Sequence, residues 1–152
     1  MAYIGLCARA AVAAFGLLVL AAGPFGAQAD RDPDPGVSCL AANVYHEARG
    51  ESLEGQRAVA DVTLNRVADR RWPNTLCEVV WQPYQFSWTH DGLSDATPDS
   101  RAYQRAIGVA RDAIREGPRM EATHYHAAYT KPYWADKLEY IETIGLHLFY
   151  KE

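Results

Sequence analysis

The stretch "LEGQRAVADVTLNRVADRR", residues 53–71, constrains the fold more than any other part of the chain. Leu53, Val59, Ala60, Val62, Leu64 and Val67 wrap most of a helical circumference. Glu54, Arg57, Asp61 and Asn65 are left on one narrow polar stripe. A helix with so little polar surface must be enclosed by protein on most sides. Ser52 stands where an N-cap is needed, so the helix is predicted to begin at Leu53 and to form the centre of a helical core.

Its neighbours supply the packing partners. Upstream, Ser38 is placed to cap a helix whose Leu40, Ala41, Val44, Tyr45 and Ala48 fall on one side. His46 points away from that side, towards solvent, Glu47 lies on the flank of the apolar stripe, and Gly50 ends the helix. Downstream, "RRWPNTLCEVVWQP" reads as a turn at Pro73 and a short helix stopped by Pro83. "YQFSWTHDGLSDATPDS" is an aromatic, turn-rich loop or small hairpin. "SRAYQRAIGVARDAIREG" is a third long helix, with Tyr103, Ala106, Ile107, Ala110 and Ile114 on one stripe. Two stretches of strand character follow, "ATHYHAAY" and "HLFYK", separated by "TKPYWADKLEYIETIG". Helices first and strands last predict an α+β domain, mainly helical, with a small β element.

The 152 residues allow one ordinary domain, and the first 29 are not expected to belong to it. Arg9 precedes the apolar run "AAVAAFGLLVLAAG", which falls short of the roughly 20 residues of a membrane span. "AQA" at 27–29 then fits a signal-peptidase site. The expected organisation is a signal peptide over 1–29, a flexible proline-punctuated leader over 30–36, and a working domain over 37–152. Such a protein is exported, periplasmic or secreted, with no stable membrane span once the signal is removed. Cys39 and Cys77 then remain, an even count in a compartment that permits disulfides, which favours a bridge over two independent thiols. The formal net charge is −4 and no basic run is present, which argues against nucleic acid as the partner.

The chemistry-bearing candidates begin with Glu47 and Glu51 in "YHEARGES". A carboxylic acid that donates a proton near neutral pH needs a raised pKa, and the edge of a packed apolar stripe provides the partial burial that raises it. The competing reading pairs either glutamate with Arg49, Arg57 or Arg66. In "QPYQFSW" an extended backbone would show Tyr84, Phe86 and Trp88 on one side and Gln85 and Ser87 on the other. Such a strip suits sugar rings, whose apolar faces stack while their hydroxyl and acetamido groups hydrogen-bond. Gln85, Ser87 and Trp88 are the expected contacts there, with Phe86 a plug beneath the loop. In "THYHA" a strand would place His124 and His126 on one face and Tyr125 on the other.

Five ordered blocks shift the balance among these readings. "YHEARGES", "GQRAVADVTLNRV", "WPNTLCEVVWQPYQFSW", "THYHA" with "PYWA", and "IGLHLFY" resemble the SleB-type cell-wall hydrolases, which include the spore cortex-lytic enzymes. The likeness runs from about Cys39 to the end of the chain. It implies a lysozyme-like, lytic transglycosylase-like fold acting on the glycan strands of peptidoglycan, without a metal or cofactor. It further implies that Glu47, the first acid of "EARGE", protonates the bond between N-acetylmuramic acid and N-acetylglucosamine. Glu51 would steady positive charge or, preferably, shape the turn as a ligand of Arg49. Tyr125 and one nearby histidine, His126, would line the cleft opposite Glu47 and orient the sugar. Two other readings stay open: a zinc amidase or peptidase using His124, His126 and a glutamate, and a non-catalytic peptidoglycan-binding module.

Overall fold

A computed structural model describes residues 33–152. The signal peptide expected over 1–29 lies outside the described residues. Helix α1 spans Pro35–Ala48, α2 Leu53–Ala68, α3 Leu76–Val80 and α4 Ser100–Glu116. Strands β1 (His124–Ala127), β2 (Glu139–Ile144) and β3 (His147–Lys151) follow, so helices do precede strands in an α+β arrangement.

Local chemistry sets most of these limits. Asp34, not Ser38, caps α1: its carboxylate accepts from the Gly36 amide at 2.9 Å, and Pro35 occupies the first turn, where its missing N–H costs nothing. The helix therefore starts inside the segment, 30–36, expected to be a flexible leader. Its last turn closes on Arg49 in a right-handed conformation, and Gly50 adopts no left-handed turn. Ser52 caps α2 as its sequence predicts, accepting from Gly55 N at 3.2 Å. Asp99 caps α4, which stops at Gly117 with φ +78°.

Helix α2 is enclosed as its composition requires. Leu40, Val44, Val59, Ala60, Ile107 and Ala110 join α1, α2 and α4 in the main core. Ala58 and Val62 on the next face of α2 pack with Ala122 and Phe149, which docks the sheet. A third cluster, Val80, Phe86 and Trp88, packs beside Cys39. The buried charge on α2 is paired: Arg57 contacts Asp61 at 2.7 Å and Glu116 at 2.9 Å, tying α2 to the end of α4.

The sheet has the order β1-β3-β2, antiparallel throughout. Strand β2 lies in "TKPYWADKLEYIETIG", the stretch between the two segments of strand character. Most of its side chains are exposed, so it carries little of the apolar alternation that marks a half-buried strand. Cys39 and Cys77 are bonded, with Cα atoms 5.2 Å apart, and link α1 to α3 across 38 residues.

Candidate active site

Glu47 occupies the last turn of α1, half-buried on a cleft of about 780 Å³. Tyr125, on β1, donates its hydroxyl to Glu47 Oε2 at 2.9 Å. That tyrosine packs against all three core clusters, so its position is fixed by the fold as a whole. Burial raises the Glu47 pKa above the ordinary 4.5, opposed by the Tyr125 hydrogen bond and by the charge of Arg66. Burial also pushes the Tyr125 phenol well above 10, reinforced by the Glu47 charge, so the hydroxyl stays a donor.

Arg66 is a participant the sequence offered only as an ion-pair partner. It is buried, lines the cleft, and donates through Nε to the Thr123 carbonyl at 2.8 Å. Its guanidinium carbon lies 4.4 Å from the Trp72 ring centroid and 5.3 Å from that of Phe86. Burial lowers its pKa to about 10, which leaves it charged at neutral pH; the Glu47 carboxylate opposes the shift. No ion pair joins it to Glu47 among the described residues, so it acts at longer range, limiting how far burial raises the acid.

His46 also departs from expectation. Its ring stacks on Trp88 at 4.4 Å and lines the cleft, and its Nε2 meets the Asp95 carbonyl at 3.3 Å. A helical wheel places it away from the core of α1 but cannot show that the aromatic loop folds back over that side. The loop itself is not extended. Its Ser87–Thr89 segment forms a turn of 3₁₀ helix, which buries both Phe86 and Trp88 and leaves Tyr84 exposed. The expected alternation of aromatic and polar sides is therefore absent. Trp88 is held from behind: Nε1 donates to Asn43 Oδ1 at 3.1 Å, and Asn43 in turn donates to Thr63 Oγ1 at 3.2 Å.

Gln85, Ser87, Trp88, Tyr125 and His126 all line the same cleft as Glu47. Trp88 is only 7% exposed and covered by His46 on one face, so it forms part of the wall and offers little ring surface to a ligand. His126 has both ring nitrogens engaged, Nδ1 with the Ala127 carbonyl at 2.9 Å and Nε2 with the Tyr150 hydroxyl at 3.0 Å. In the neutral ring that carbonyl requires the proton on Nδ1, leaving Nε2 as acceptor. His124 and His126 do share a side, since both rings meet Trp134, and Tyr125 points the other way.

Glu51 stands apart from the large cleft. It lines an adjoining hollow of about 310 Å³ with Arg49, Tyr129 and Leu146. No ion pair joins it to Arg49, Arg57 or Arg66 among the described residues. Instead Oε2 accepts from the Leu146 amide at 3.3 Å, and its backbone carbonyl accepts from Gln56 Nε2 at 3.0 Å. The expected ligation of Arg49 is absent among the described residues, and the Glu51 carboxylate contacts the turn between β2 and β3 instead. Among the described residues no group of three His, Cys, Asp or Glu side chains is arranged to hold a metal ion. The three donors that the zinc reading needs do not converge.

Comparisons with known proteins agree with this architecture. A family profile described as Cell Wall Hydrolase matches residues 50–150. The spore cortex-lytic enzyme of Bacillus subtilis is 34% identical over 120 residues, covering 74% of this chain and 36% of the relative. That of Bacillus cereus is 36% identical over 115 residues, covering 76% and 44%. The chain thus spans less than half the length of these relatives. Among solved structures, the catalytic domain of the germination-specific lytic transglycosylase SleB from Bacillus anthracis superposes with a TM-score of 0.67 at 33% identity, covering 79% of this chain and 97% of that one. The catalytic domain of Bacillus cereus SleB gives 0.65 at 33% identity, covering 85% and 100%. The helices-then-sheet fold, the spacing of its sequence blocks and these matches give one answer: the chain belongs to the cell wall hydrolase family.

Proposed function

We propose that the protein is an exported enzyme that cleaves peptidoglycan glycan strands between N-acetylmuramic acid and N-acetylglucosamine, with Glu47 as general acid. The observation that carries this reading is the half-buried Glu47 carboxyl, its pKa raised by burial and its orientation held by Tyr125, facing a cleft of about 780 Å³. Its relatives' names point the same way, being those of lytic enzymes of the spore cortex and of a lytic transglycosylase.

In the proposed reaction Glu47 gives its proton to the glycosidic oxygen. The bond from that oxygen to the muramic C1 breaks, and N-acetylglucosamine leaves with a free 4-hydroxyl. Positive charge builds on C1 and its ring oxygen. The carboxylate left on Glu47 then takes the proton of the muramic C6 hydroxyl as that oxygen bonds to C1, which closes a 1,6-anhydro ring and restores the acid. Arg66 favours the carboxylate stage and burial favours the protonated stage, so Glu47 is poised for both. The engagement of Glu51 with the β2–β3 turn supports an internal nucleophile over a second catalytic carboxylate. Gln85 and Ser87 are assigned to holding the sugar, Tyr125 to orienting Glu47, His126 and Trp88 to the cleft wall and Glu51 to the adjoining hollow. Export through a signal peptide over 1–29 would bring the enzyme to this substrate in the periplasm or outside the cell.

Mass spectrometry of muropeptides released from purified sacculi tests the reading. Anhydro-muramic ends, one water lighter than hydrolysis products and formed equally in the presence of a chelator, are expected. Intact glycan strands with freed peptide stems, or binding without release, would overturn it.

A further inference from the structure

The turn that opens the aromatic loop contains a conflict between sequence and backbone. Gln85 N donates to the Gln82 carbonyl at 3.2 Å, closing a four-residue turn with Pro83 second and Tyr84 third. Tyr84 has φ +67° and is the one non-glycine described residue with positive φ. Proline second and positive φ third is the pattern of a type II turn, whose third position calls for glycine or asparagine. A tyrosine there is strained by its Cβ, and strain of this kind persists where the surroundings or the function require it.

Packing does not explain it. Tyr84 is 85% exposed, so its ring returns almost no burial for the strain. Its one aromatic neighbour is His90, edge-on at 5.3 Å. Yet the residue lines the same cleft as Glu47. Two residues on, Phe86 is 2% exposed, and Trp88 is walled in by His46. The only ring of "QPYQFSW" displayed to a ligand is therefore the one set in the unfavourable conformation.

We propose that Tyr84 is a sugar-stacking platform at the cleft rim, held out by its turn to take the apolar face of one N-acetylhexosamine ring of the glycan. The proposal rests on the glycan-cleaving function given above and adds a contact remote from the bond that breaks. A phenol ring suits this ligand because the axial C–H face of a pyranose packs on an aromatic face while its equatorial polar groups stay wet. Such a contact binds ground state and transition state alike, so it acts on KM and leaves kcat nearly unchanged.

The test compares Tyr84→Ala, Tyr84→Gly and Tyr84→Trp in the mature protein, using soluble glycan strands freed of peptide as substrate and thermal unfolding as a second readout. Tyr84→Ala and Tyr84→Gly are expected to raise KM about three- to tenfold with kcat within about twofold, and Tyr84→Trp to keep KM. Tyr84→Gly is expected to unfold at a higher temperature than wild type, because glycine relieves the turn. A wild-type KM in Tyr84→Gly, or a lower unfolding temperature, would show that the tyrosine serves the loop and not the ligand. Wild-type protein inert on the same strands would sink the cleavage function itself and this proposal with it. Active wild type with unaltered variants sinks this proposal alone.

Discussion

The hydroxyl of Tyr125 donates to Oε2 of Glu47 at 2.9 Å, joining the last turn of α1 to β1 across 78 residues of sequence. This contact both aims the acid and favours its ionised form. Phe in place of Tyr125 is expected to lower kcat about tenfold by releasing the carboxyl. It should also move the alkaline limb of the pH–rate profile upwards, since a pKa-lowering contact is lost while burial remains. An unmoved limb would mean that another group sets it.

The sign of the pH dependence follows from the same shift. With Glu47 as the proposed acid, activity is expected to fall as pH rises through the raised pKa. Stability follows the same direction: the contribution of this group is complete below the unfolded value near 4.5 and is lost as pH rises through the folded one. Unfolding midpoints measured across that window should fall less steeply with pH in Glu47→Gln than in wild type. Identical slopes would place the titration elsewhere.

Glu51→Gln should leave glycan cleavage within about threefold of wild type, because an amide oxygen can still accept from Leu146 N. Gly145→Ala should cost more. Gly145 has φ +57°, and a Cβ there would collide with Glu51 Oε2. A stability loss of about 1–3 kcal/mol is expected in denaturant unfolding. A large loss of kcat in Glu51→Gln at unchanged stability would return Glu51 to the chemistry.

Much of this was legible in the sequence, for identifiable reasons. The enclosed character of α2 follows from its circumference of apolar residues, and Ser52 marks its start. The bond between Cys39 and Cys77 agrees with the pairing expected from an even cysteine count and predicted export. What escaped depends on contacts between distant segments. His46 looks solvent-facing on a wheel, yet its place in the cleft wall is created by Trp88, 42 positions further on. Arg66 looks like an ion-pair residue; its role arises because β1 brings Tyr125, and α1 brings Glu47, near it. The polar strip of "QPYQFSW" failed because Pro83 and Tyr84 form a tight turn where alternation assumes an extended chain.

The covalent link between α1 and α3 predicts a redox-sensitive stability. Closing 38 residues contributes about 3–4 kcal/mol, so the paired Cys39→Ser, Cys77→Ser variant should lose about that much. Neither cysteine belongs to the main core cluster, so the variant is expected still to fold. Equal unfolding midpoints with and without reductant would argue that the bond adds nothing to the folded state.

Release of muropeptides from sacculi by Glu47→Gln, compared with wild type on protein shown to be folded, tests the central claim most directly. Glutamine keeps the shape and can still accept the Tyr125 hydrogen bond, but it holds no transferable proton. A loss of about a hundredfold or more is predicted. Release by Glu47→Gln within a few-fold of wild type would contradict the account.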